Sequence, residues 1–256
     1  MRFIGWGEDM LHPEALEFIH MASEAGILTH INTNGSKVTA EKALNLCSAG
    51  LDSIKFSFQG VDRESYKEMR GKDFFEGLLD AIEIMRAARR ATSNFRRTRH
   101  PWIAVSTTTT WETEDMIAAF VERVGPMVDE LSIGKTIFEF MDISKARLKA
   151  KDKAMLTRLK EASSGDQKAH PDPCPEVYGK LSVHADGTAV VCCNSYGTQT
   201  DLGSVNDSSI ESIWMHPEME AYRERLGRKD YSAPICTKCF DYLDLTEGQN
   251  DTALVK

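Results

Sequence analysis

Apolar positions along the first two-thirds of the chain alternate between two periods. Pro13 to Ala25 carries Leu16, Ile19 and Ala22 at helical spacing, with Phe18 and Met21 beside them. Pro13 stands near its start and Gly26 just past its end, as helix termini favour. Ile27 to Ile31 reads as a strand closed by Thr33-Asn34-Gly35, and Thr39 to Ala49 as a helix stopped by Gly50. Strands at Ile54 to Phe58, Trp102 to Thr109 and Leu131 to Ile137 follow, separated by helices at Phe74 to Arg89 and Glu114 to Val124. Phe3-Ile4-Gly5 supplies a strand end at the chain start. Short strands alternating with helices of about a dozen residues predict βαβ units and a parallel sheet, an α/β fold. In such sheets ligands gather at the carboxyl ends of strands. Here those ends read GWGED, NTNG, SFQG and STTTT, which are small, polar and Gly-rich.

The pattern changes further on. A charged helical stretch runs from Ser144 to about Ala162, and Ser163-Ser164-Gly165-Asp166 with Pro171-Asp172-Pro173 reads as a linker. We expect a domain boundary near residue 165, separating a domain at 1–165 from one at 166–256. Five of the six cysteines lie beyond it.

Cys236-Thr237-Lys238-Cys239 is a CxxC pair, and a single tight turn can aim two such thiolates at one metal centre. Cys174 and Cys192 have 17 residues between them. The strand–turn–strand from Leu181 to Val191, with Asp186-Gly187 at its turn, would return Cys192 towards Cys174. Cys174, Cys192, Cys236 and Cys239 then form a four-thiolate site, either a [4Fe–4S] cluster or a structural zinc. Cys193 follows Cys192 on a strand, so only one of the two can ligate. His184 is a substitute ligand if Cys192 is not one, and an exposed strand residue otherwise. Cys47 sits in a helical pattern beside Ala43 and Leu46 and reads as a small core residue.

The remaining features narrow the function by exclusion. A net charge of -8 argues against a nucleic-acid partner, since phosphate binding needs a basic face. No apolar run reaches the roughly 20 residues that span a bilayer, and the N-terminus has no signal-peptide pattern. The expected setting is cytoplasmic, without a membrane partner. Arg89-Arg90, Arg96-Arg97, Arg99 and His100 read as a solvated basic connector. Glu112, Glu114 and Asp115 suit a helix N-terminus and its dipole. There is no G-x-S-x-G elbow and no H-E-x-x-H helix.

Taken in order, these motifs resemble a family. Gly5-Trp6-Gly7-Glu8 followed by Leu11-His12-Pro13 resembles the GGE motif of radical SAM enzymes. Thr33-Asn34-Gly35, Ser57-Phe58-Gln59-Gly60 and Met69-Arg70-Gly71 fall where that family carries TNG, SxDG and RG. The tail resembles a SPASM/Twitch-type iron–sulfur domain at Cys174-Pro175, Asp186-Gly187, Leu202-Gly203, Ile213-Trp214 and the CxxC preceded by Pro234.

The resemblance implies a partial (βα)6 TIM-like barrel lacking its first strand, plus a small C-terminal Fe–S domain with a β-hairpin. It implies S-adenosylmethionine at the open rim. Glu8, with Gly5 and Gly7, would face the methionine ammonium. Thr33 and Asn34 would lie beside it, Ser57 at the ribose or carboxylate, and Thr107 and Thr109 by the adenine. It favours an auxiliary [4Fe–4S] cluster over zinc at the four cysteines. The implied activity is 5′-deoxyadenosyl radical chemistry on a peptide or carbohydrate-like substrate, with a reducing partner such as flavodoxin or ferredoxin.

One departure stands out. The family's first strand ends in a CxxxCxxC loop that holds the cluster cleaving S-adenosylmethionine, and no cysteines here have that spacing. This chain alone is therefore expected to be inactive in that chemistry. Either the sequence is an N-terminally truncated piece, which a start in mid-motif favours, or the protein is a non-radical relative. The alternative function is a non-catalytic Fe–S or zinc binding module that keeps the fold.

Overall fold

The computed structural model describes residues 1–5, 7–93, 100–135, 153, 154, 157, 174–195, 200–237 and 239. Trp6, Arg96, Arg97, Arg99, most of the expected 144–162 helix and the expected boundary near residue 165 lie outside them. The described chain forms two compact units, one holding residues 1–135 and the other residues 174–239.

The N-terminal unit has strands β1 (Arg2–Phe3), β2 (His30–Thr33), β3 (Ser53–Ser57), β4 (Trp102–Thr109) and β5 (Glu130–Lys135). Helices α1 (Ala15–Glu24), α2 (Ala40–Ser48), α3 (Arg63–Arg70), α4 (Phe75–Thr92) and α5 (Glu114–Val124) lie between them. The sheet order is β1-β2-β3-β4-β5 and every pairing is parallel. Consecutive parallel strands joined by right-handed crossovers put all helices on one face. The sheet therefore curves as a TIM-like barrel wall, and every strand's carboxyl end lies on the same rim. This is the partial TIM-like fold expected of the sequence.

Local chemistry explains the element ends. Thr39 and Thr113 cap α2 and α5 with their hydroxyls. Asp62 and Ser65 form a reciprocal capping box at the start of α3, and Gly71 closes it at φ 71°. Between the sheet and helices, Ile54, Phe56, Ile103 and Val105 pack on Leu78, Ile82 and Met85, all buried. Phe58, Tyr66, Phe75 and Phe120 add an aromatic group whose ring centroids are 5.5–6.4 Å apart, mostly edge to face. Cys47 packs against this core with its Sγ 3.9 Å from Met85 Sδ.

In the C-terminal unit, α6 (Glu176–Gly179) precedes an antiparallel sheet of β6 (Ser182–Val183), β7 (Thr188–Val190) and β8 (Asp201–Ser204). Gly187, at φ 90°, makes the β6–β7 turn. A Cβ there would fall 2.4 Å from Asn206 Nδ2. Helices α7 (Ile210–Trp214), α8 (Pro217–Gly227) and α9 (Pro234–Thr237) complete the unit. Its core joins Val177, Ala189, Val191, Leu202, Ile213, Met219 and Leu226. The Arg223 guanidinium lies 4.2 Å from the Trp214 ring centroid and donates to the carbonyls of Val177 and Trp214, so one side chain fastens α6, α7 and α8 together.

Candidate functional site

The rim is built where β1 and β2 end. Glu8 begins a single 3-10 turn (Asp9–Leu11). Its two carboxylate oxygens are engaged separately. The Thr33 hydroxyl donates to Oε1 at 2.6 Å, and the Asn34 backbone N–H donates to Oε2 at 2.8 Å. Thr33 is buried, and its Oγ1 accepts from the Gly35 N–H at 3.0 Å. Glu8 thus straps the loop after β1 to the end of β2, with one lone-pair direction on each oxygen unused among the described residues. Gly5 and Gly7 are exposed, and a Cβ at either would meet nothing within 4 Å.

Further along the rim, Ser57 ends β3, and its carbonyl accepts from Arg70 at 3.5 Å. Gly60 adopts φ 76°, its N–H donates to the Thr108 carbonyl, and its own carbonyl accepts from the Thr107 hydroxyl. Thr107 is buried and its hydroxyl is spent inside the rim. Thr109 is half-buried and donates to the Gly134 carbonyl at 3.2 Å. Glu112 accepts from the backbone N–H groups of Thr110 and Trp111, closing the turn before α5. The residues expected around a rim ligand therefore share one edge of the sheet, though Thr33 and Thr107 use their hydroxyls to hold it together.

In the other unit, Cys174, Cys192, Cys236 and Cys239 line one cavity, together with Cys193, Glu176, Asn194, Tyr222 and Tyr231 among others. The CxxC turn is formed by α9, with the Cys239 N–H donating to the Cys236 carbonyl at 3.1 Å. Burial, followed by the charges of Cys193, Cys236 and Cys239, pushes the Cys192 thiol up to about 12, against a backbone hydrogen bond from Asn194. Burial pushes Cys236 up as well, with Cys174 adding to it. Cys192 and Cys236 therefore hold their protons more tightly than free thiols, and a bound cation would displace them. Cys193 is exposed, with its Sγ 3.9 Å from Glu176 Oε2. His184 is not among the cavity's lining residues. Among the described residues no trio of Cys, His, Asp or Glu converges on a single ion-sized point.

Two family models match the chain. The radical SAM superfamily covers residues 3–96, and an iron–sulfur cluster-binding domain, SPASM, covers residues 174–240. The chain is a radical SAM superfamily protein with a C-terminal SPASM domain. The AdoMet-dependent heme synthase of Methanosarcina barkeri is 31% identical over 83 residues, which are 32% of this chain and 24% of that protein. The GTP 3′,8-cyclase of Chlorobaculum tepidum is 37% identical over 90 residues, 34% of this chain and 26% of that one. An uncharacterised protein of Methanocaldococcus jannaschii is 34% identical over 80 residues, 31% of this chain and 28% of its own length. The matches thus span about a quarter of these curated relatives. Among solved structures, SuiB of Streptococcus suis superposes with a TM-score of 0.61 at 14% identity, over 85% of this chain and 56% of its own. The anSMEcpe structure with bound AdoMet gives 0.58 at 16% identity, over 86% of this chain and 67% of its own. These two likenesses show the fold.

Sequence reading passed over Asp9 in the radical SAM unit and Asn194 in the SPASM unit. Neither belongs to a motif; only their positions, one after Glu8 and two after Cys192, point to them. Burial, then the neighbouring Glu8 charge, pushes the Asp9 carboxyl from 3.8 up to about 6. Between those values the folded protein binds more protons than the unfolded chain, so the Asp9 contribution to stability falls as pH rises through that window. Asp9→Asn removes the penalty. The variant is expected to melt at a higher temperature than the parent at about pH 8, with the gain fading towards about pH 4. Calorimetric scans across that range check both ends.

Proposed function

We propose that this chain provides the S-adenosylmethionine rim and the auxiliary-cluster domain of a radical SAM enzyme acting on a peptide or carbohydrate-like substrate. One observation carries the reading: four cysteines from three separated segments line a single cavity in a SPASM unit. The donor set is soft and thiolate-rich, as Fe–S clusters require. Cys174, Cys192, Cys236 and Cys239 would hold a [4Fe–4S] cluster that takes up or delivers an electron or helps place the substrate.

At the rim, Glu8 would keep its free lone pairs for the methionine ammonium while Thr33 and Asn34 fix its direction. Gly5 and Gly7 leave the backbone open to close approach. Ser57 would meet the ribose or carboxylate, and Thr109 would border the adenine. Thr107 would serve by fixing Gly60 beneath it. With a reduced cluster beside it, S-adenosylmethionine supplies a radical able to abstract hydrogen from unactivated carbon. Protein residues then orient the substrate and exclude water. A peptide substrate draws support from two structural relatives, SuiB bound to the precursor peptide SuiA and anSMEcpe bound to the Kp18Cys peptide. Flavodoxin or ferredoxin would act as the reductant.

A second reading, a non-catalytic Fe–S or zinc module, rests on the absence of CxxxCxxC from these 256 residues. S-Adenosylmethionine binding separates the two. The enzyme reading expects saturable binding to the 256-residue polypeptide in equilibrium dialysis, and no binding would withdraw it. In either case this polypeptide, reduced with dithionite, is expected to release no 5′-deoxyadenosine above a no-protein control. Its appearance would contradict the requirement for the missing trio.

A further inference from the structure

Asn194 is only 5% exposed and lines the cysteine cavity. A side-chain amide carries two N–H donors and an oxygen with two lone pairs. Among the described residues one of these four capacities is used: Nδ2 donates to the Ile235 carbonyl at 3.1 Å. Oδ1 is buried with no partner among the described residues. Buried polar groups in folded proteins are normally satisfied; Oδ1 calls for a donor, while the second Nδ2 proton, which has no acceptor among the described residues, calls for an acceptor in the cavity that Asn194 lines. Its position is also specific. Asn194 follows Cys192 by two residues, and its bond to Ile235 reaches the residue just before Cys236. One side chain therefore joins two of the cysteine-bearing segments at the wall of the site.

We propose that Asn194 is a positioning and potential-setting residue of the auxiliary cluster: its second Nδ2 proton donates to a sulfur of the cluster held by Cys174, Cys192, Cys236 and Cys239. This rests on the proposed reading of those cysteines. Reduction adds negative charge to a cluster, and a donor at sulfur stabilises the reduced form, so it raises the reduction potential. Glu176, the carboxylate in the same wall, has no proton to offer when ionised.

The test uses the full 256-residue chain, reconstituted anaerobically and labelled with amide-15N asparagine. Pulsed EPR of the reduced cluster is expected to show a 15N coupling that disappears in Asn194→Ala. Midpoint potentials are expected to fall in the order parent, Asn194→Ala, Asn194→Asp, because the aspartate also places a negative charge at the cluster. Asn194→Ala with the parent's iron and sulfide content and an unchanged potential overturns the proposal. So does a variant that loses cluster content while the remaining cluster keeps its potential, which marks a merely structural tie. If neither variant holds a cluster, the labelled parent decides, and absence of the coupling refutes the contact. A parent chain that takes up no iron and sulfide sinks the cluster reading itself and this inference with it, a result seen in elemental analysis before any variant is compared.

Discussion

Anaerobic reconstitution of Cys236→Ala/Cys239→Ala is expected to leave almost no iron or sulfide, against about four of each per chain in the parent. Both cysteines come from the single turn at α9, so the double substitution removes half of the thiolates proposed to hold the cluster and leaves two that could not hold it alone. The cost to folding of the metal-free chain is small. Cys236 is half-buried against the unit's core, and Ala is a modest truncation there. The loaded parent should nevertheless be more stable than the loaded variant, because metal binding and folding share one free energy. Cys47→Ala is the matched control. That thiol packs on Met85 in the other unit, so its loss is expected to leave iron content unchanged. Cys193→Ser tests the choice between neighbours and is expected to keep the cluster. Zinc without sulfide in the parent would turn the cavity into a structural metal site and withdraw the proposed electron-handling role.

How far the fold was legible depends on where apolar side chains carry the pattern. Trp102 to Thr109 and Glu114 to Val124 appear as read, one as a β-branched run and the other as a capped amphipathic helix. The second strand was expected from Ile27 but begins at His30. Ile27 closes α1 instead, donating its N–H to the Ala22 carbonyl, and Leu28 stays 73% exposed. Two apolar residues after a glycine imitated a strand start while belonging to a helix exit. Helix α3 escaped notice for the opposite reason. Its sequence, RESYKEMR, is polar nearly throughout, and Tyr66 alone anchors it deeply among the aromatic rings. Its ends were encoded in Asp62, Ser65 and Gly71, a capping signal without an apolar stripe to frame it.

The candidate sites divide along similar lines. Spacing grouped Cys174, Cys192, Cys236 and Cys239, and these four line one cavity, which Cys193 lines as well. The expected rim residues rest on motif, and motif spacing does not say which way a hydroxyl points. Thr33 and Thr107 both turn theirs towards protein partners. The state of Asp9 and the open amide of Asn194 depend on burial and on neighbours distant in sequence, which no local pattern carries.

Glu8→Ala should show the largest effect in the radical SAM unit. Removing the carboxylate leaves the half-buried Asn34 N–H without its acceptor and the Thr33 hydroxyl with only the weak acceptor Met10 Sδ at 3.6 Å, where a fully stranded buried donor costs about 1–3 kcal/mol. Thr33 is 2% exposed and has little access to water as a substitute. The expected loss is about 2–4 kcal/mol in denaturant unfolding, with S-adenosylmethionine affinity falling by at least about tenfold. Glu8→Gln separates strap from ligand. Glutamine keeps one acceptor oxygen and so retains part of the strap, but it has no charge to offer an ammonium. If Glu8 faces the methionine end, Glu8→Gln loses most of the binding while keeping most of the stability. If it serves only to tie β1 to β2, binding follows stability in both variants. The neighbouring carboxyl gives an independent readout. Because the Glu8 charge is one of the two causes holding Asp9 near 6, Glu8→Gln should let Asp9 titrate at lower pH by NMR, though burial will keep it above its ordinary value. An Asp9 titration unmoved by Glu8→Gln would mean that the two carboxylates do not share one electrostatic site, and Glu8 would then lose its place as the charged centre of the rim.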